Sequence, residues 1–207
     1  MRRHPLWLAM LSSAVVSAAA FGGEASKTGV IKGTITIGGR PTADAVVSVE
    51  GVAPKDGVAR PSGNAGQAVI DQRDMKFIPR VLAVLVRTTV DFSNNDKTFH
   101  NVFSTSEAKK FDLGLYPSGQ SRNVNFDKPG VVRILCNVHP NMEAYIAVKN
   151  HRYFTVADAR GNYSLSAIPL GKYRVEIWHP ELGTKVVPIE LVRDGEVVAV
   201  DADLKKK

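Results

Sequence analysis

Residues 29 to 51 read GVIKGTITIGGRPTADAVVSVEG. In this stretch Thr34-Ile35-Thr36-Ile37 alternates polar and apolar side chains. Gly38-Gly39 and Arg40-Pro41 supply turn chemistry, and Ala45 to Val49 is again β-rich. A period of two points successive side chains to opposite faces, so such a run buries one face as a strand and cannot do so as a helix. The same grammar returns in residues 153 to 178, YFTVADARGNYSLSAIPLGKYRVEIW, where short strands are punctuated by Ala159-Arg160-Gly161-Asn162 and Pro169-Leu170-Gly171. TKVVPIELV and EVVAVDADL add two more strands near the C-terminus. No helix longer than a turn or two is required anywhere; SEAKKFDLGL, residues 106 to 115, is the one place where a short helix is expected. The expected fold class is all-β.

The chain opens MRRHPLWLAMLSSAVVSAAAF. Arg2 and Arg3 form a positive n-region, Leu6 to Val16 a short apolar run, and Ala18-Ala19-Ala20 a cleavage site of small residues. This pattern reads as a signal peptide over residues 1–20, too short to span a bilayer, and it implies a periplasmic or secreted protein. Its removal takes away two arginines and no acid, lowering the formal charge from +7 to +5. The remaining mildly basic, mixed surface offers no arginine- and aromatic-rich stripe for nucleic acid, and no membrane span is expected.

Cys136, the single cysteine, stands in CNVHPNM, residues 136 to 142. A lone thiol in an oxidising compartment is unpaired, an intermolecular staple, a buried small hydrophobe or a metal ligand. His139 and Met142 follow at three-residue intervals. Thiolate, imidazole and thioether make a soft donor set that suits copper, whereas zinc more often shows a second cysteine or another close histidine. A further strong ligand must come from elsewhere. Beyond residue 20 the histidines are His100, His139, His151 and His179. His100 lies in DKTFHNVFS, after the alternating Thr88 to Phe92 and a turn at Ser93 to Lys97, at the start of a second extended run. A histidine at the edge of a sheet can face the cysteine loop. His100, Cys136 and His139 would then form a trigonal set with Met142 as weak axial donor, the composition of an electron-transfer copper centre. His151 and His179 are read as non-ligands. Asn101 is expected to bond through its side-chain amide to the backbone of the cysteine loop.

These residues resemble the cupredoxins, which carry an isolated histidine on one strand and a cysteine–histidine–methionine loop between two later strands. The spacing C-x2-H-x2-M, with Pro140 directly after His139, is similar to the short copper loop of amicyanin. AVIDQRDMKFIP, FHNVFS, FDLGLYPSG and FDKPGVVRILCNVH resemble cupredoxins of the methylamine-utilisation type. The resemblance implies one type 1 copper and a Greek-key β-sandwich. It implies an electron exit through His139, with Pro140 and Asn141 on the partner contact face. The expected partners are redox proteins such as a c-type cytochrome or a periplasmic dehydrogenase.

The flanking segments resemble a different module, the carboxypeptidase regulatory-like (transthyretin-like) sandwich, split in two. The expected organisation is therefore 27–53 and 152–204 as the two parts of a smaller β-sandwich, with a cupredoxin at 54–151 inserted between them; both fall within ordinary domain sizes. Residues 52–66, rich in proline, glycine and alanine, suit a linker. No nucleophilic triad, phosphate loop or second histidine cluster argues for an enzyme. The function expected is electron carriage, with copper binding or trafficking without electron shuttling as the alternative, and an adhesion or scaffold module as a more remote one.

Overall fold

The structure is a computed structural model that describes residues 27–52 and 68–205. The signal-peptide expectation, and the linker expectation apart from Val52, lie outside the described residues. The strands are β1 (Thr28–Ile37), β2 (Arg40–Pro41), β3 (Val46–Glu50), β4 (Ala68–Arg73), β5 (Lys76–Ile78) and β6 (Val81–Leu85). They continue with β7 (Thr88–Asn94), β8 (His100–Ser106), β9 (Lys109–Tyr116), β10 (Ser121–Phe126), β11 (Gly130–Leu135) and β12 (Glu143–Lys149). The last are β13 (Phe154–Val156), β14 (Asn162–Pro169), β15 (Gly171–His179), β16 (Gly183–Leu191), β17 (Val197–Ala199) and β18 (Ala202–Leu204). The fold is all-β, and among the described residues no helix is long and apolar enough to cross a membrane.

The strands from β4 to β12 make two facing sheets, ordered β10-β7-β4-β5 and β6-β12-β11-β8-β9. Alternation along each strand sends one row of side chains inward, and Ile70, Phe92, Val102, Ile134 and Ile146 are wholly buried between them. The pairings β4–β7 and β6–β12 are parallel, so the chain crosses between sheets rather than running as a simple meander.

The expectation of a short helix in SEAKKFDLGL is overturned. Glu107-Ala108 is a two-residue turn, and Lys109–Tyr116 pairs antiparallel with β8 from Ser106↔Lys109 to His100↔Tyr116. The physical reason is visible in the sequence. Phe111 and Leu113 recur with period two and pack on the core from one face, a pattern a helix would scatter around its circumference.

The remaining strands make two further sheets. One has β1 at its centre, between β14 and β17, with β18 and β2 also on β1; the other is ordered β13-β3-β15-β16. Their inward faces bury Ile31, Ile35, Val47, Leu165 and Ile177. β3 and β13 are hydrogen-bonded antiparallel neighbours, with Phe154 opposite Ser48 and Val156 opposite Val46. The strands β4 to β12 thus occupy the place of the loop of a β3–β13 hairpin. A turn at Ala159-Arg160-Gly161 closes against β1. Gly161 has φ +75°, and a Cβ there would lie 2.2 Å from the carbonyl oxygen of Ile35, so only glycine fits.

Val46, Val81 and Ala147 form a small apolar cluster joining the two units, edged by Tyr145 and Trp178, whose rings meet edge to face with centroids 5.6 Å apart. Arg80 bridges to Asp44 (3.3 Å) and Glu181 (2.9 Å), and Lys149 to Glu50 (3.2 Å) and Glu176 (3.0 Å).

Candidate metal centre

His100 opens β8, and its side chain is completely buried. Its Nε2 lies 2.9 Å from Asp96 Oδ2, in the turn just before the strand. Asp96 also accepts the backbone N–H groups of Met75 (2.7 Å) and Lys97 (2.7 Å). The Met75 N–H above all, with His100 and Lys97 adding and burial opposing, holds the Asp96 carboxyl down to about 2. Asp96 is therefore an ionised acceptor at neutral pH, and the proton between the pair belongs to His100 Nε2. The lone pair of His100 is left on Nδ1, a division of roles that commonly orients histidine ligands.

That Nδ1 faces the loop between β11 and β12. Cys136 directly follows β11, with its side chain inside, and His139 comes three residues on. Cys136 Sγ is 3.9 Å from His100 Nδ1 and 3.9 Å from His139 Nδ1, and the two Nδ1 atoms are 3.0 Å apart. A point equidistant from the corners of a triangle with these sides is about 2.1 Å from each, the length of a metal–imidazole bond. Two imidazole nitrogens so close, one with its lone pair already directed inward, need a cation or a proton between them. The donor set fits a soft metal ion, and among the described residues it is the one grouping of three or more histidine, cysteine or acidic side chains that could hold one.

Met142 is buried in the same core cluster as Cys136. Its N–H donates to the His139 carbonyl at 2.9 Å, closing the tight turn that brings the chain back inside. Between these two, Pro140 and Asn141 are exposed, and His139 itself is half-buried. Val138 and Phe99, the sequence neighbours of the two imidazoles, are apolar yet 47% and 52% exposed.

Asn101 departs from expectation. It is buried beside His100, but its Nδ2 donates to Asp112 Oδ1 at 2.6 Å, across the β8–β9 pair, and not to the cysteine loop. Its Oδ1 is buried without a hydrogen-bond partner among the described residues. The reason is register: Asn101 faces Leu115 on β9, and the irregularity between Asn101 and Phe103 brings the Asp112 carboxylate beside the amide. His151 and His179 are not brought to the centre. His151 Nε2 sits 3.5 Å from Glu50 Oε2 at the junction of the two units, and His179 accepts the Glu181 N–H at 3.3 Å. Sequence reasoning passed over Asp96 and Asp112. Asp96 stood four residues before His100 in a turn-forming NND stretch, which is a usable signal; Asp112 had none.

Residues 64–149 match the family of copper binding proteins of the plastocyanin/azurin type. The segment is similar to the cupredoxins. A purple cupredoxin from Nitrosopumilus maritimus is similar at 24% identity, covering 40% of this chain and all of that one, with a TM-score of 0.37. A reduced Cu(I) form of an amicyanin variant is similar at 23% identity over 50% of this chain and 98% of the other (TM-score 0.39). A copper-containing nitrite reductase from Thermus scotoductus is similar at 23% identity over 47% of this chain but only 27% of the enzyme (TM-score 0.39). No curated protein matches the chain. Copper is the metal that this family binds, and the group formed by His100, Cys136 and His139 is compatible with it.

Proposed function

We propose that the protein is an exported electron carrier with one type 1 copper, held by His100, Cys136 and His139 with Met142 as weak axial donor. The observation that carries this reading is the triangle of donor atoms with sides of 3.0 to 3.9 Å. Bound copper would supply reversible one-electron chemistry. The protein's own part is to keep the ligands still. His100 is held by Asp96 on Nε2 and by strand pairing to Tyr116, and the loop is closed by the Met142–His139 hydrogen bond. A frame that barely moves lowers the reorganisation needed when the charge changes. His139, half-buried between exposed Val138 and Pro140, provides the way out for the electron. The small apolar rim with Asn141 suits a transient partner such as a c-type cytochrome or a periplasmic dehydrogenase. The protein is not itself an enzyme in this reading. Residues 54–151 act as a self-contained carrier mounted on the sandwich of 27–53 and 152–204.

The test is reconstitution with Cu(II). One equivalent should give an intense visible thiolate-to-copper band that disappears in Cys136→Ser. Asn141→Glu should keep the colour and slow stopped-flow electron transfer to a c-type cytochrome. A colourless copper-loaded protein would reject electron carriage in favour of copper trafficking. Equal rates for Asn141→Glu and wild type would move the docking face elsewhere.

A further inference from the structure

The strand beneath His100 is irregular at one point. Asn101 pairs with Leu115 and Phe103 with Asp112, so β9 holds one more residue than β8 in that interval. This is a β-bulge at Leu113-Gly114, with Gly114 at φ +66°. A bulge leaves backbone groups without ladder partners, and here both are taken by side chains. Asp112 Oδ1 accepts the Gly114 N–H at 2.8 Å, and Arg122 Nη1 donates to the Leu113 carbonyl. The guanidinium of Arg122 also lies over the Tyr116 ring, 4.9 Å from its centroid, and Tyr116 is the residue paired with His100.

The same Asp112 oxygen receives the Asn101 amide at 2.6 Å. A carboxylate only accepts, so it dictates that Nδ2 faces it and turns Oδ1 into a buried site with no partner among the described residues. An unsatisfied buried carbonyl is costly and persists where something else overrides it.

We propose that Asp112 is a positioning residue of the metal centre: by capping the β9 bulge and clamping Asn101 with one oxygen, it sets the backbone at His100 and so the aim of His100 Nδ1. The inference rests on the reading of His100 as a copper ligand. It accounts for an exposed acid making two short bonds beside a wholly buried histidine, and for a bulge immediately next to the ligand strand's first residue.

Two variants of the full chain separate the clamp from the cap. Asp112→Asn keeps an acceptor oxygen for both donors. Asp112→Ser retains a hydroxyl that can cap Gly114 two residues on, but it is too short to reach Asn101. In the metal-free protein, NMR should show the Asn101 side-chain amide protons exchanging about tenfold faster in Asp112→Ser than in wild type, as expected for one lost hydrogen bond, with Gly114 N–H still protected. In the Cu(II) form, Asp112→Ser should change the intensity ratio of the two thiolate–copper bands, and Asp112→Asn should restore wild-type values in both measurements. A wild-type band ratio in Asp112→Ser would reduce Asp112 to a structural role and overturn the proposal. So would an Asp112→Asn protein displaced as far as the serine variant. Should Asp112→Ser not fold, Gly114→Ala replaces it, straining the bulge with both side chains intact; an unchanged band ratio there overturns the proposal as well. If wild type itself gives no thiolate–copper band, it is the copper reading that fails, and the proton-exchange result still stands by itself.

Discussion

The cupredoxin-like unit is assembled from one uninterrupted run of chain, whereas the sandwich is assembled from both ends of it. Strands β4 to β12 pair only among themselves. In the sandwich, β1 pairs with β14, β17 and β18, and β3 with β13 and β15, all across the insert, while β15–β16 and β1–β2 are local hairpins. Closing a long flexible loop costs entropy that grows with its length. Most of that interval, β4 to β12, is folded on itself and so is not a flexible loop. Lys149, on the insert's last strand, reaches both Glu50 and Glu176, and Val81 and Ala147 pack on Val46. The comparison teaches that the unit carrying the metal donors depends little on the other for its core, while the sandwich depends on the insert to bring its halves together.

The strongest way to break this comparison is to separate the units. Deleting residues 54–151 and closing the gap with a short glycine linker should leave a folded sandwich, because β3 and β13 are already neighbours. The excised piece should carry all the copper absorbance. Circular dichroism melts decide it: two non-cooperative pieces would mean one continuous domain. A smaller perturbation tests whether damage stays local. Gly161→Ala forces a Cβ against the Ile35 carbonyl at positive φ and should destabilise the sandwich by at least about 2 kcal/mol. The visible spectrum should remain that of wild type. A spectral change would show that strain in the sandwich reaches the metal centre.

Tyr145 and Trp178 measure how tightly the units are joined. Replacing each by leucine, singly and together, should give a coupling of about 1 kcal/mol in a double-mutant cycle from denaturant melts, the usual value for an edge-to-face pair. A coupling near zero would mean that the interface adds no specific attraction. The smallest effect concerns Glu50. Its contact with His151, aided by Ser48 and Lys149 against the burial penalty, lowers its carboxyl from 4.5 to about 2. A carboxyl depressed in the folded state stabilises fully above its unfolded value and loses that contribution as protons are added. The stability advantage of wild type over Glu50→Gln should therefore be constant above pH 4.5 and shrink between there and about pH 2. A difference that does not vary with pH would remove Glu50 as a charged joint between the units.

What could be read without a structure was local. Alternation in GTITI and in FTV, the glycine turns and the absence of a sustained 3.6-residue period dictate strands, because burial of one face follows directly from the spacing of side chains. The CNVHPNM loop carries its own geometry: Pro140 and the Met142 N–H to His139 carbonyl bond are formed within seven residues. His100 was legible as a candidate ligand at a strand start, but not the partner that holds its ring.

Where segments meet was not legible in this way. SEAKKFDLGL mixes two lysines and two acids with Ala108, Phe111, Leu113 and Leu115, and only its place against β8 decides for a strand. Asn101 is adjacent to His100 in any fold, but whether its amide meets the cysteine loop or Asp112 depends on register, and a single extra residue in β9 changes which side chains lie opposite. The amino-acid sequence by itself determined the strand-forming alternation and the identity of the soft donors. The 3.0 Å approach of His100 Nδ1 to His139 Nδ1, and the turning of Asn101 toward Asp112, were decided by tertiary structure alone. They depend on pairings between strands far apart in the chain, and no local pattern of side chains encodes such a register.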